Sequence, residues 1–458
     1  MEKNKIYKIV DDILEEDEYD DSPKVFYPYI KELNIPCLLN SARTFSTPQY
    51  ILDKNMLQQR ARFFLTTFKK YLPQLEAFYA FKCNDLPLLI KTLKQEGFHA
   101  DVAGLFELKL AKKLGFEKII FTSPGKTKEE LETAINYGAI INIDNKDELA
   151  LLMKISPKKL TKVSIRINPS KKITKLWSKF GIELENLKEI IQTIQLEKNI
   201  QLVGLHFHCS WNETPKRYME NINLIAEYLK NNIPKQNIQN LEFFDFGGGF
   251  LPENIATLNK FSLRSDLIKT INEYSNKKIK TPNPTTFSVD QVDSLEKFAK
   301  DISTCIKKNI LTLNPNLKIY CEPGRFISTH STSILLKVIA IKKECVIVDG
   351  GINLFGDYRF EEYSFAPIVN LSQPALTLKK KTIYGPLCDP SDLWGYSYFG
   401  KDIKKGDVLA VLHQGAYTFC CAWRFIKPIA PYIVMDDEKL ILGKKQETFK
   451  QRYSGCKL

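Results

Sequence analysis

No stretch of this 458-residue chain approaches the ~18 uncharged apolar residues that a membrane-spanning helix needs. Its opening residues, MEKNKIYKIVDDILEEDEYDD, lack an apolar core and a small-residue cleavage site, so no secretory signal is expected there. Cysteine is sparse, with ten residues, no CxxC pair and no Cys/His group at zinc spacing. A disulfide scaffold and a structural metal are therefore not expected, and reduced thiols in the cytoplasm are the plain reading. No repeat of roughly 20–50 residues is visible either.

What the chain does have is an ordinary globular balance, 44% apolar and 26% charged, enough to bury a real core. The formal net charge is +13. The lysines are dispersed, and short runs such as Lys379–Lys381 read as solvated faces, so nucleic acid is not an expected partner. A basic protein still attracts small anions, a phosphate-bearing cofactor among them. The first 22 residues hold nine acids and three bases and read as a solvated terminus.

From about residue 50, short apolar runs alternate with amphipathic stretches of helical length. Ala77–Phe81, His99–Ala103, Lys118–Thr122, Ile140–Ile143, Val163–Ile167, Leu202–His208 and Leu241–Phe246 are apolar almost throughout, as strands buried on both faces are. Helical runs such as Leu86–Gln95, Leu105–Leu114 and Lys128–Tyr137 separate the first of them. This rhythm predicts parallel βα units closing into an α/β (β/α)8 barrel before about residue 330, a fold of roughly 250 residues. Beyond it, Val338–Ile341, Cys345–Val348, Thr382–Tyr384, Val408–Leu412 and Tyr432–Met435 are short and β-branched, which predicts a mostly antiparallel β-domain. Residues 274–290, polar and Pro-containing, read as a loop on the barrel.

Active sites of such barrels gather at the C-terminal strand ends. Lys82 stands at one of them. Apolar walls there favour its neutral, nucleophilic amine, although a lysine can equally snorkel to water or pair with a carboxylate. His206 and His208 lie on one side of their strand. They could bind a metal, for which no third ligand is evident, stack on a planar ring, or be hydrogen-bonded core histidines. The DFGGGF segment at 245–250 follows a strand with Gly247, Gly248 and Gly249, whose bare N–H groups can wrap a phosphate. Glycines also mark plain turns. Glu322 and Arg325 flank a Pro-Gly turn. Glu322 could hold a proton on a ring nitrogen and Arg325 could serve a phosphate or carboxylate, or the two could pair. Cys388, in a turn-rich loop with Asp389, could donate a proton, attack a substrate or pack as a small hydrophobe. Tyr417 offers a phenol near Gly415.

An amine nucleophile, a phosphate-cradling loop, a ring-nitrogen carboxylate, a stacking His and a mobile Cys are together what pyridoxal phosphate chemistry requires. In their order they resemble the fold-type III pyridoxal-phosphate decarboxylases, the group containing ornithine and diaminopimelate decarboxylases. The matching stretches are YAFKCN at 79–84, SKFGI at 178–182, GLHFH at 204–208, DFGGGF at 245–250, EPGR at 322–325, GPLCDPSD at 385–392 and GAYT at 415–418. They span roughly residues 45–435. The resemblance implies a barrel at 51–331, a β-domain at 332–458 carrying the Cys388 loop, and a segment at 1–50 joining that β-domain. It implies a Schiff base between Lys82 and pyridoxal phosphate, Glu322 on the pyridine nitrogen and His208 stacked on the ring. Gly247, Gly248, Gly249, Arg325 and Tyr417 would hold the phosphate, with Gly324 in the same turn, and Cys388 would deliver the proton to the α-carbon. It also implies a homodimer in which the thiol loop reaches the partner's barrel.

Two rivals are weaker. A racemase of this fold usually faces the pyridine nitrogen with an arginine, whereas Glu322 is an acid. A non-catalytic binding relative tends to lose the lysine, the glutamate or the loop cysteine, and all three stand. The substrate is an amino acid. Val348–Asn353 looks like the diaminopimelate branch, which follows it with an arginine and a tyrosine for a distal carboxylate. Here Asp357 lies near the place of that arginine and Arg359 comes two residues late. Asp349, Asp357 and Asp389 would suit a distal ammonium. The expected substrate is therefore a basic amino acid such as ornithine or lysine, with diaminopimelate the alternative. Ser210-Trp211 departs from the usual Gly-Ser, so Ser210 supplies the hydroxyl–phosphate contact from a neighbouring position or Trp211 narrows the pocket.

Overall fold

The computed structural model describes residues 23–155, 160–169, 179–254, 256–257, 288–289, 291–355 and 366–457. The acidic first 22 residues and nearly all of the 274–290 loop lie outside them. Eight parallel strands form the barrel: Leu75–Ala80, His99–Val102, Ile119–Thr122, Ile140–Ile143, Thr161–Asn168, Ile200–His206, Phe243–Asp245 and Lys318–Cys321. Each pairs with its neighbours in chain order, and Lys318–Cys321 closes the ring by pairing with both Phe243–Asp245 and Leu75–Ala80. Local chemistry sets the helix ends between them. Thr127 and Glu130 make a capping box at the start of Lys128–Tyr137, and Gly138, at φ 71°, ends it. Ser294 caps Leu295–Asn309 through the Lys297 N–H.

The second sheet is a mostly antiparallel β-domain built on Thr332–Ile341, which pairs with Cys345–Val348 and Val408–Val411. Three of its strands, Ile368–Asn370, Leu393–Phe399 and Lys439–Lys444, escaped the sequence pattern. Gln49–Asp53 enters this sheet too, antiparallel to Thr332–Ile341 and parallel to Tyr432–Asp436. The Ile35–Phe45 helix, capped by Asn34, buries Cys37 and Leu38 in one apolar cluster with Leu335, Val369 and Ile433. No helix among the described residues is long and apolar enough to cross a membrane.

Candidate active site

Side-chain alternation carries the barrel interior from an apolar plug to a polar floor. Phe78, Ile120, Val203, Phe243 and Tyr320 form the plug, with the Phe243 and Tyr320 rings stacked 4.4 Å apart. Two residues further along the same strands come Thr122, Asp245 and Glu322, facing the same way. Asp101, Asn142, Ser164 and His206 join them as buried polar residues. A hydrogen-bonded chain links this layer. The Ser164 hydroxyl donates to Asn142 Oδ1. Asn142 Nδ2 donates to Thr122 Oγ1 at 2.7 Å. The Thr122 hydroxyl in turn donates to Glu322 Oε1 at 3.4 Å. From the other side, His206 Nε2 lies 3.3 Å from Glu322 Oε2. Burial alone would raise Glu322, but His206, His208 and Lys82 reverse that and hold its carboxyl well below the ordinary carboxylate value. His206 is itself lowered by burial, so the neutral ring with Nε2 protonated donates to the ionised Glu322.

A single tight turn, Phe81–Cys83, follows the first barrel strand and presents Lys82 over this floor. Its Nζ lies 3.0 Å from Asp101 Oδ2. Enclosure pulls the Lys82 amine down, but Asp101 and Glu322 outweigh it, and the amine sits above the ordinary lysine value. Of the readings open for Lys82, pairing with a carboxylate is the one the structure shows: a buried acid on the adjacent strand holds the amine charged. Asp101 is pushed up to about 7 by burial and by Glu322, against the pull of Lys82. Asp245 is raised well above its usual value for the same first two reasons. Neither acid was singled out from sequence, although each is a lone carboxylate in an otherwise apolar strand. Asp101 Oδ1, Asp245 Oδ2 and His206 Nδ1 are buried without a partner among the described residues.

His208 lies just beyond its strand, which ends at His206. Both rings nonetheless converge on Glu322, with His208 Nδ1 at 3.8 Å from Oε2. Glu322 is thus the third member that the His206–His208 spacing did not reveal, and donor atoms of all three lie within 4.8 Å of one another. The Gly248 N–H donates to His208 Nδ1 at 3.2 Å, and Nε2 then donates to Ser210 Oγ at 2.9 Å. Burial lowers His208 to about 4, so the ring is neutral and fixed at both nitrogens. The glycine run is set by close approach. A Cβ at Gly248 would lie 2.1 Å from the Glu322 carbonyl oxygen, and one at Gly249, where φ is +92°, 2.0 Å from that of Cys209.

Three motifs distant in sequence interlock around Lys82. The Ala80 N–H donates to Pro323 O at 3.4 Å, and Gly324 packs so close that a Cβ there would lie 2.9 Å from Cys83 Cβ. The Tyr417 N–H donates to Cys83 O at 2.7 Å, and Asn84 Nδ2 to Gly415 O at 2.9 Å. The Arg325 guanidinium carbon lies 4.5 Å from the centre of the Trp211 indole and 4.7 Å from that of the Tyr417 ring.

Cys388 is exposed. Its loop is pinned by buried Asp392, whose oxygens accept from the Ile352 N–H at 2.8 Å and the Leu387 N–H at 2.7 Å. Asp389 accepts from the Ser391 N–H and hydroxyl, each at 2.8 Å, which holds its carboxyl below the usual range. Both Asp349 oxygens are used inside the β-domain, one by the Thr47 hydroxyl at 2.5 Å and one by the Lys337 N–H at 2.9 Å. Asp357 and Arg359 lie outside the described residues.

The pyridoxal-binding domain of the pyridoxal-dependent decarboxylases matches residues 60–329, more than half of the chain. The chain belongs to this family. It is similar to a diaminopimelate decarboxylase of Aquifex aeolicus, 26% identical over 93% of this chain and 97% of that one. It is also similar to a lysine/ornithine decarboxylase of Selenomonas ruminantium, 24% identical over 87% of this chain and 92% of that one. Among solved structures, the diaminopimelate decarboxylase of Helicobacter pylori in complex with L-lysine shares the fold. Its TM-score is 0.72 and its identity 23%, covering 91% of this chain and 98% of that one.

The cofactor of this decarboxylase is pyridoxal phosphate, and the residues present fit it. Glu322 is a buried, ionised carboxylate whose contacts to Thr122 and His206 are long enough to leave room for a stronger donor. Gly247–Gly249 make a tight turn packed against the Phe207, Glu322 and Cys209 carbonyls, which brings the loop backbone close beside Glu322 and His208. The Lys82 side chain keeps 36% of its surface open.

Proposed function

We propose that this decarboxylase removes the α-carboxylate of meso-diaminopimelate. The observation that carries the reading is the near full-length similarity to diaminopimelate decarboxylases, which goes with the Val348–Asn353 segment. The basic-amino-acid expectation leaned on Asp349, Asp357 and Asp389. Asp349 is engaged at both oxygens and Asp389 folds onto Ser391, which weakens the case for a distal ammonium site built from them.

Pyridoxal phosphate, when bound, supplies an aldehyde that condenses with amines and a protonated ring that accepts the electron pair released as carbon dioxide leaves. This chain's part is positional and electrostatic. Lys82 would hold the cofactor through its side-chain amine. Glu322, kept ionised by the His206 N–H and by Lys82, would retain the proton on the pyridine nitrogen. His208, neutral and fixed by Gly248 and Ser210, offers a flat face for the ring. Gly249, Gly324, Arg325 and Tyr417 would receive the phosphate, while the N–H groups of Gly247 and Gly248 are given to Asp245 and His208 and hold the turn in shape. The exposed Cys388 returns the proton to the α-carbon of the site across a homodimer interface, so each centre is complete only with its partner.

The test is carbon dioxide release by the purified protein with pyridoxal phosphate on L- and D-ornithine, L- and D-lysine, L- and D-arginine and meso-diaminopimelate, with Lys82→Ala as the blank. Release from meso-diaminopimelate ahead of the others is expected. Faster release from ornithine or lysine would return the substrate to the basic class.

A further inference from the structure

We propose that Cys420 and Cys421 form a redox modification site: a small peroxide closes them reversibly into a vicinal disulfide, and that closure loosens the turn carrying Lys82. The two cysteines fill the middle of a turn that the Ala422 N–H closes on Phe419 O at 3.2 Å. Their sulfurs already lie 3.8 Å apart. Both residues are half-buried, so a small oxidant has access, whereas Cys83, Cys209 and Cys321 are enclosed. Cysteines that served only as apolar filling would sit in the core, as those three do.

The turn is held on three sides. Phe419 at its start meets the Tyr50 and Tyr432 rings edge-on, at 5.4 and 5.0 Å. Upstream the Tyr417 N–H is fixed to Cys83 O, and downstream the Trp423 N–H donates to Asn353 O at 3.0 Å. The Cys420 sulfur is thereby set behind Lys82: Sγ donates to Lys82 O at 3.1 Å, and Cys83 O lies 3.4 Å away. Contact with Cys421, and burial after that, push the Cys420 thiol up, so it keeps the proton for this bond.

The step balances as two thiols against one peroxide. Cys421, as thiolate, attacks a peroxide oxygen. The O–O bond breaks, the departing hydroxide takes up a proton as water, and Cys421 is left as a sulfenic acid. Cys420 Sγ, giving up its proton, attacks the Cys421 sulfur. The S–S bond forms, the S–O bond breaks and a second water leaves, so the thiols lose two electrons and the peroxide gains them. Adjacent Cα atoms are about 3.8 Å apart across a trans peptide, short of the ~4.4–6.8 Å that an unstrained disulfide spans. The bond is therefore strained and readily reduced by thiols, as regulatory disulfides are. Drawing the sulfurs from 3.8 Å to about 2 Å consumes the Cys420 proton and ends its donation to Lys82 O. Only the effect on the cofactor rests on the reading that Lys82 holds it.

The experiment treats apo-protein with hydrogen peroxide, blocks the remaining thiols with iodoacetamide and cuts with trypsin. Cleavage after Lys405 and Arg424 leaves a peptide, 406–424, that holds these two cysteines and no other. The expected peptide has lost two hydrogens and takes up no iodoacetamide, and dithiothreitol before blocking restores uptake at both sulfurs. Equilibrium dialysis of the same samples reads the coupling. The oxidised protein is expected to bind pyridoxal phosphate about fivefold more weakly, the worth of one hydrogen bond, and to recover on reduction. Cys421→Ser keeps the Cys420 S–H and forms no disulfide, so peroxide should leave its affinity unchanged. A peptide that alkylates at both sulfurs after peroxide, or that gains oxygen at them, overturns the proposal. Unchanged affinity in the oxidised protein, or an equal loss in Cys421→Ser, overturns the link to Lys82. Lys82→Ala tests the underlying reading separately: the covalent cofactor absorbance must vanish. If it persists, the role of Lys82 fails while the peptide mass still decides the thiol pair.

Discussion

Replacing Asp101 by Asn keeps the side-chain shape and removes the negative charge 3.0 Å from Lys82 Nζ. At that distance and an effective dielectric of about 20, the bare attraction is about 5 kcal/mol. The Lys82 side chain is 36% open, so water screens the pair. We take about 2 kcal/mol as the working figure, equal to roughly 1.5 pH units on the amine. With Asp101 gone, burial regains influence and the Lys82 amine becomes neutral at lower pH. The apo-variant should therefore combine with pyridoxal phosphate faster than the parent, by up to ~30-fold, and its rate profile should shift toward acid by about 1.5 units. Because Asp101 itself sits near 7, the difference between the two proteins develops fully only above neutrality. Stopped-flow absorbance of the cofactor-bound band across the neutral and alkaline range measures it. A folded Asp101→Asn protein with an unshifted profile refutes the claim that this buried acid keeps Lys82 charged.

The same acid gives a stability prediction. Asp101 is raised to about 7 in the folded protein against about 3.9 in the unfolded chain, so the unfolded chain loses its proton first. Apo-protein stability should fall as pH rises from about 4 to about 7, by up to about 4 kcal/mol from this group, and urea midpoints should show a smaller decline in Asp101→Asn. Cys388→Ala should slow carbon dioxide release far more than it weakens cofactor binding. Comparable losses in both would remove the thiol from the chemistry. Gly248→Ala drives a methyl group onto the Glu322 carbonyl oxygen, a clash that should lower stability by about 3 kcal/mol and reduce cofactor retention, read by urea unfolding and dialysis.

The barrel was legible because strands buried on both faces leave unbroken apolar runs, and His99–Val102, Ile119–Thr122 and Ile140–Ile143 sit within or at the expected segments. Lys82, His208, Glu322 and the glycine run were legible as motifs. What stayed hidden depends on neighbours far apart in sequence. Asp101 matters through Lys82, and Glu322 joins the histidines only because the barrel closes. Asp392 fixes the Cys388 loop through the Ile352 N–H, a contact without local signature. Leu393–Phe399 mixes Gly, Ser and aromatics, so its strand character comes from its partner, Leu378–Tyr384. Which of the readings of Lys82 holds was hidden for the same reason: a sequence shows the apolar wall but not the acid behind it.

The place of Gln49–Asp53 has a consequence for synthesis on the ribosome. Tyr50 pairs with Ile334 on one side and with Tyr432 on the other. This strand must therefore wait, unpaired, while the whole barrel is translated, and its second neighbour emerges well after its first. Vectorial folding thus completes the barrel before the sheet that embraces it. During that interval the nascent chain carries an open strand edge, the segment a chaperone has most reason to shield.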